Sequence, residues 1–393
     1  MRKIIFSPWP IILLLTIGLA VGMYSATPLL LDDHFYYQKF INTLAGGKFD
    51  LSILGFHGSD ILAVPFHWIR KSPISQIEFQ ALCSLLLPLL AFLAGKSLFR
   101  SNIHGILLSV IITMMPFISF VYLRGWTGSS YMCLMLLTIY GASTKAKWTW
   151  LAWSFAILTK PFAFALFPLI VTLTPKSKSI FKRWKQVILG LSVVLTYLII
   201  QYIQAGHIVV GTHSGVTEIN VLQGPIRMLM NTAHSLQILF SVHNYYYPNP
   251  ALTGAGNMMH TTPILIFLGL FNLLAPTKDS SSRSLNRALL AGALIGIGMN
   301  IPLDHMDHFY MQAGILIMII AAIPMLIKYP IWIPIVLATL HFQWLYFYLQ
   351  FQNTFQIGNV FFTVPLIVDI LFLLYCLLNY KKIINGTYSL EHT

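Results

Sequence analysis

The chain has 393 residues, of which 57% are apolar and 9% charged, against roughly 25% charged in an average soluble domain. A water-soluble globule cannot hide that much apolar surface, so a soluble enzyme, a disordered chain and a disulfide scaffold are all excluded. The net charge of +13 comes from Lys and Arg residues that flank apolar runs, which makes them topology signals, and no nucleic-acid-binding motif accompanies them.

In chain order, apolar runs fall at about 4–24, 79–98, 103–122, 126–143, 148–159, 161–174, 187–203, 263–276, 288–303, 313–327, 331–349 and 359–379. The expectation is an all-α transmembrane bundle of about 12 spans. The first run is read as an uncleaved anchor, because its apolar part is longer than a signal peptide needs. With the N-terminus in the cytoplasm and alternation thereafter, 17 Lys and Arg residues fall inside and six outside, leaving Lys160 over. That split is a strong positive-inside signal, and it places both termini in the cytoplasm of a plasma (inner) membrane.

The segment 148–174 breaks simple alternation. Both flanks are basic, and Lys160-Pro161 stands near its middle. Two half-helices folded into a hairpin satisfy the charge rule, whereas one long span does not. Thirteen residues rise roughly 20 Å, less than a hydrocarbon core of about 30 Å, so Lys160 is expected at membrane depth towards the outer side. Pro161 lacks a backbone donor and disfavours helix at the residue before it.

The inside loops are short and basic, and two long segments, 25–78 and 204–262, lie outside. The second carries Ile226, Leu229, Met230, Ala233, Leu236 and Phe240 on one helical face, the pattern of a helix lying on the membrane surface. The chain then divides into a module at 1–203, an outer loop at 204–262 and C-terminal helices at 263–393. Eight of the 11 acids and ten of the 13 His residues fall outside, so polar chemistry gathers on the outer face. Cys83, Cys133 and Cys376 each lie alone in an apolar stretch and read as small apolar side chains.

Several residues can carry chemistry. Asp32-Asp33-His34-Phe35-Tyr36-Tyr37 follows the first run. Adjacent carboxylates repel, which raises one pKa and suits a general base; helix capping is the alternative. Lys160, costly at membrane depth, snorkels, pairs with an acid or meets an anionic ligand such as a lipid phosphate. Arg124, beside Trp126 in an outer turn, is a phosphate ligand or an interface anchor. Asp304, His305, Asp307 and His308 form a polar turn that is solvated, binds an acceptor or phosphate, or holds a divalent metal. His57 and His67 are outer-segment histidines. Tyr245, Tyr246 and Tyr247 read as an interfacial belt. Asp369 lies in the last run, with His341 and Gln343 as possible partners.

No phosphate loop, dinucleotide fingerprint or internal repeat is present. The order of the remaining motifs resembles the GT-C superfamily of polyprenyl-phosphate-sugar-dependent glycosyltransferases, which includes protein O-mannosyltransferases and lipid A aminoarabinose transferases. Asp32-Asp33 followed by Tyr36, Tyr37 and Leu44-Ala45-Gly46-Gly47 is similar to that family's first outer loop. Ala81 to Arg100, Met115-Pro116 and Thr159-Lys160-Pro161 are similar to its following helices and hairpin. The resemblance covers roughly residues 1–175. The C-terminal soluble domain of some members is absent, and no acid accompanies Arg124.

The resemblance implies a donor sugar on undecaprenyl or dolichyl phosphate and an acceptor that is a glycan, a lipid or a protein. Asp32 or Asp33 takes the acceptor proton, and Lys160 and Arg124 stabilise the departing phosphate. Tyr36, Tyr37, His57 and the Asp304–His308 turn become acceptor- or sugar-binding candidates. The scheme inverts the sugar and needs no metal or other cofactor. A lipid-linked glycan flippase and an outer-face glycan polymerase or ligase are the alternatives.

Overall fold

A computed structural model describes residues 7–28, 32–53, 55–119, 123, 126–174, 180–206, 263–277, 279–299 and 311–351, with 208, 228, 229, 232, 233, 301, 367, 368 and 370–374. Among these residues the fold is helical, with no strand. In chain order come α1 (Trp9–Tyr24), α2 (Asp32–Ala45), α3 (Gly58–Arg70), α4 (Ser75–Phe99), α5 (Asn102–Thr113), α6 (Pro116–Ser119) and α7 (Gly128–Thr144). Then follow α8 (Thr149–Thr159), a 3₁₀ segment (Pro161–Leu166), α9 (Phe167–Leu173), α10 (Ile180–Ala205), α11 (Pro263–Leu274), α12 (Ser280–Gly298), α13 (Gln312–Lys328) and α14 (Trp332–Phe351).

Ser75–Phe99 and Trp184–Ala205 are long and apolar enough to cross a membrane. Apolar rows also face outward at helical spacing: Leu13, Ile17 and Val21 on α1, Leu191, Leu195 and Ile199 on α10, and Phe267, Phe271 and Leu274 on α11. Three helices, α3, α4 and α7, end on a basic residue in the left-handed region, Lys71, Arg100 and Lys145. A cation there complements the negative end of the helix dipole.

Side-chain pairs give the directions. Ser109 Oγ donates to Pro88 O at 2.7 Å, and Gly95 lies against Gly105, so α5 runs antiparallel to α4. Ser84 Oγ donates to Ser129 Oγ at 2.7 Å, and Ser97 Oγ lies 2.6 Å from Ser143 Oγ, so α7 runs parallel to α4. Such serine contacts suit helices that must associate without a large hydrophobic gain. Cys83 and Cys133 are buried and free, as expected of apolar fillers, and the Cys133 thiol donates to Cys83 O.

The chain folds back at Lys160–Pro161. Trp153 Nε1 donates to Ala163 O at 3.0 Å, and its ring lies 6.0 Å from Phe164 and 6.5 Å from Phe167. A straight helix would carry Ala163 about 15 Å away from Trp153. On the far side of the hairpin, α10 runs parallel to α8. Trp150 N–H donates to Gln186 Oε1 at 3.0 Å, and Ser154 Oγ donates to Gly190 O at 3.1 Å. Gly292 and Gly296 of α12 let the hairpin approach at Ala165, and Gly296 also meets Gly314 of α13. Trp344 of α14 donates to Met114 O at the end of α5.

The segment 25–78, expected as one long outer loop, contains two helices that pack into the bundle. Phe40, Ile41, Ala63 and Val64 are buried. A Cβ added at Gly58 would lie 2.6 Å from Phe155 O and 2.8 Å from Leu158 Cβ, so α3 rests directly on the backbone of α8. Overpacking there costs about 1–3 kcal/mol. Gly58→Ala should therefore lower the unfolding midpoint in detergent. Gly298→Ala, whose Cβ would meet nothing within 4 Å, should leave that midpoint nearly unchanged.

Candidate functional site

One buried polar layer joins the outer segment to α4 and α7. Ser59 Oγ at the start of α3 lies 2.6 Å from Ser130 Oγ at the start of α7. Gln80 of α4 ties them together: its Nε2 donates to Ser59 Oγ at 2.8 Å, and its Oε1 accepts from Ser130 N–H at 2.9 Å. Ser84 and Ser129 continue the layer, and Ser129 Oγ donates to Ile118 O of α6. Buried hydroxyls and amides of this kind are tolerated because they satisfy one another.

Lys160 borders this layer. Pro161 forces it out of the helix, and it adopts an extended conformation with φ −150° and ψ 123° as the C-cap of α8, the conformation favoured before proline. Its N–H still closes on Ala156 O at 2.9 Å, and its own carbonyl accepts from Ala163 N–H at 3.1 Å. The side chain is half-buried, and the ammonium stands 5.8 Å from the ring centre of Tyr131. That is a cation–π distance. Tyr131 is the neighbour of Ser130, and Leu158, two residues before Lys160, is the backbone on which Gly58 rests.

His57 and Asp60 lock the loop that leads into α3. His57 Nδ1 and Asp60 Oδ2 are 2.7 Å apart, with both side chains at most 1% exposed. His57 Nε2 faces Ile53 O at 3.1 Å. A carbonyl only accepts, so Nε2 carries a proton. The Nδ1–Oδ2 bond then holds one further proton, and the pair is neutral whether that proton sits on nitrogen or oxygen. Burial pushes the Asp60 carboxyl above the usual carboxylate range, opposed in part by His57. Phe40 of α2 stacks flat on the imidazole, with ring centres 3.9 Å apart.

A polar stripe on α10 clamps the same loop. Tyr197 O–H donates to Gly55 O and its oxygen accepts from His57 N–H, both at 3.3 Å. Gln201 Nε2 donates to Gly55 O at 3.4 Å. Gln204 accepts from Leu51 N–H at 2.6 Å and donates to Phe49 O at 2.9 Å.

The expected site residues are placed unevenly. Asp32 and Asp33 open α2, where carboxylates favour the helix dipole; the structure describes their backbone alone. The next residue, His34, donates from Nδ1 to Gln76 Oε1 at 3.2 Å. Gln76 lies one turn of α4 from Gln80, so the acidic pair is tethered about 5–6 Å along that helix from the layer. Tyr36 is exposed and Tyr37 half-buried on α2. His57, expected to touch sugar or acceptor, is corrected: it is fully buried and both ring nitrogens are engaged, so it holds the loop and cannot meet a hydroxyl. His67 donates or accepts at Ser75 Oγ, 2.7 Å away.

Arg124, the Asp304, His305, Asp307 and His308 turn, Tyr245–Tyr247, Asp369, Cys376 and most of the 226–240 stretch lie outside the described residues. Among the described residues no group of three His, Cys, Asp or Glu side chains is placed to hold a metal ion. Asp60, Gln80, Ser59, Ser130 and Tyr131 escaped the sequence reading. The signals were present: Ser59-Asp60 after His57-Gly58, and Tyr197, Gln201 and Gln204 at helical spacing in an otherwise apolar run.

Compared with known protein families, curated proteins and solved structures, the chain matches none.

Two outcomes follow from the geometry. Asp60→Ala leaves His57 buried without its partner, and breaking a buried pair costs about 3–5 kcal/mol; Asp60→Asn, which keeps a hydrogen-bonding oxygen, should cost less, read as unfolding midpoints. His34 adds a pH dependence. Burial holds its pKa below the ordinary histidine value, opposed by the bond to Gln76. Its neutral form is therefore favoured in the folded chain. The stability it supports is complete above about 6.5 and is lost as pH falls towards its lowered value. Protection factors over 32–45, corrected for the intrinsic pH dependence of exchange, should fall between pH 7.5 and 5, and His34→Gln should flatten that change.

Proposed function

We propose that the chain is a multi-pass membrane glycosyltransferase that moves a hexose from a polyprenyl-phosphate carrier to an acceptor hydroxyl at the outer membrane face. The observation that carries this reading is the position of Lys160. It stands at the apex of a hairpin, beside the polar layer on which the segment bearing Asp32 and Asp33 is docked. A cation at the hairpin and an acidic pair on the segment docked beside the layer suit a donor whose leaving group is an anion and an acceptor that must lose a proton. The motif order that resembles the GT-C superfamily supports the same reading.

The outward apolar rows on α1, α10 and α11 suit lipid acyl chains, since water-exposed surfaces seldom keep such contiguous patches. With the basic-residue asymmetry they favour about 12 spans, both termini in the cytoplasm, and a plasma (inner) membrane. In that orientation α2, α3 and the start of α7 lie towards the outer leaflet, where a lipid-linked sugar would be presented.

In the proposed step the acceptor oxygen attacks the anomeric carbon and the carbon–phosphate-oxygen bond breaks. Asp32 or Asp33 takes the acceptor proton. The bond's electron pair leaves with the lipid phosphate, whose charge Lys160 meets, with Arg124 as a second candidate. The transition state has oxocarbenium character, and a single displacement inverts the sugar. His57 and Asp60 act by holding the loop before α3.

The test is transfer of label from radiolabelled polyprenyl-phosphate hexose in membranes. Removing a general base costs about 10²–10⁴-fold. Asp33→Asn or Asp32→Asn should therefore lose at least a hundredfold at normal protein level, and Lys160→Met should lose a comparable factor. Transfer unchanged in both Asp variants would remove the acidic pair from the mechanism. No transfer by the wild type from any hexose carrier would sink the reading and turn attention to a flippase.

A further inference from the structure

Tyr131 has a feature that its contact with Lys160 does not account for. The side chain is fully buried, and among the described residues its hydroxyl has no hydrogen-bond partner. A buried hydroxyl left unpaired costs roughly 1–3 kcal/mol. A phenylalanine would give Lys160 the same aromatic face without that cost. The hydroxyl is therefore a surplus donor in the resting chain, and it sits where charge is concentrated. Tyr131 lies in the first turn of α7, whose N-terminus has no side-chain cap. The N-terminus of α3 meets it through Ser59 and Ser130. The phenol thus belongs to the positive end of one helix and stands beside an ammonium, with a second helix end docked at the preceding residue. Asp60, the residue after Ser59, is held with His57 in a pair of zero net charge, which does not repel an anion as a free carboxylate would.

We infer that the Tyr131 hydroxyl and the Lys160 ammonium together bind the phosphate of an isoprenoid phosphate, the tyrosine donating its O–H to one phosphate oxygen while the lysine meets another. With the ammonium 5.8 Å from the ring centre, one tetrahedral anion can touch both groups. This rests on the glycosyltransferase reading for the identity of the lipid, but the binding geometry stands apart from sugar transfer. The tyrosine adds what lysine alone lacks: a directional donor that fixes how the phosphate is turned, and so which face the bound sugar presents.

The test measures binding by the purified full chain in nanodiscs, with farnesyl phosphate as the probe and farnesol and inorganic phosphate as comparisons. Wild type should bind farnesyl phosphate and not farnesol. Tyr131→Phe, which keeps the ring and the cation–π contact, should weaken binding about tenfold, the usual scale for a hydrogen bond to a charged group. Tyr131→Leu should weaken it further, and Lys160→Met should weaken it at least as much as Tyr131→Phe. Binding by Tyr131→Phe equal to wild type, with loss in Tyr131→Leu, would reduce the tyrosine to a rest for the lysine and overturn the inference. Equal affinity for inorganic phosphate and farnesyl phosphate would overturn the lipid assignment. The stated pattern in a chain that transfers no sugar would uphold the phosphate site and refute the glycosyltransferase reading instead.

Discussion

The reversal at Lys160–Pro161 is the constraint on which the rest of the arrangement depends. Proline removes one backbone donor and forbids helix at the residue before it, so α8 stops half-way through the bundle. The stop would be expensive if the returning chain found no partners. Trp153 supplies them, bonding to Ala163 O and stacking against Phe164 and Phe167. Once the hairpin exists, the start of α3 fills the space directly against the end of α8, where Gly58 is required because the contact is with backbone.

That filling explains why the outer segment is not a loose loop. The layer built from Ser59, Gln80 and Ser130 gives each polar atom a partner from a different helix, and so fixes relative height as well as distance. The His57–Asp60 pair adds a second fixed point, and Tyr197, Gln201 and Gln204 a third, from a helix far away in sequence. A charged group in the same region is then held against a rigid wall. Rigidity of this kind is what electrostatic stabilisation of a developing charge demands, because dipoles that must reorient do not lower a barrier.

Much of the helical frame was legible in the sequence. Apolar runs marked α4, α7, α8 and α10 closely, and basic flanks on both sides of 148–174 called for the fold-back before any contact was seen. The docked helices of the outer segment were not legible in the same way. The α3 sequence is short, contains Pro65, and mixes Asp60, His67 and Arg70 with apolar residues, so it carries no span-length signal. The role of His57 was hidden for another reason: a histidine among outer-segment polar residues looks available, and only its partners, Asp60 and the Ile53 carbonyl, show that it is fully used. Tyr131 read as one more aromatic in an apolar run, because a surplus hydroxyl is visible only when its neighbours are known.

The clamp between His57 and Tyr197 has a consequence for biogenesis. Its two halves are 140 residues apart in the chain. At about 5–20 residues per second of synthesis, the outer segment waits roughly ten seconds or more before α10 emerges to receive it. During that interval Ile41, Ala63 and Val64 already pack with one another between α2 and α3, but the loop before α3 lacks the Tyr197, Gln201 and Gln204 side chains that clamp it. That loop stays loosely tied until α10 arrives, and its late docking makes it the place at which a partly inserted chain is most open to quality-control proteases.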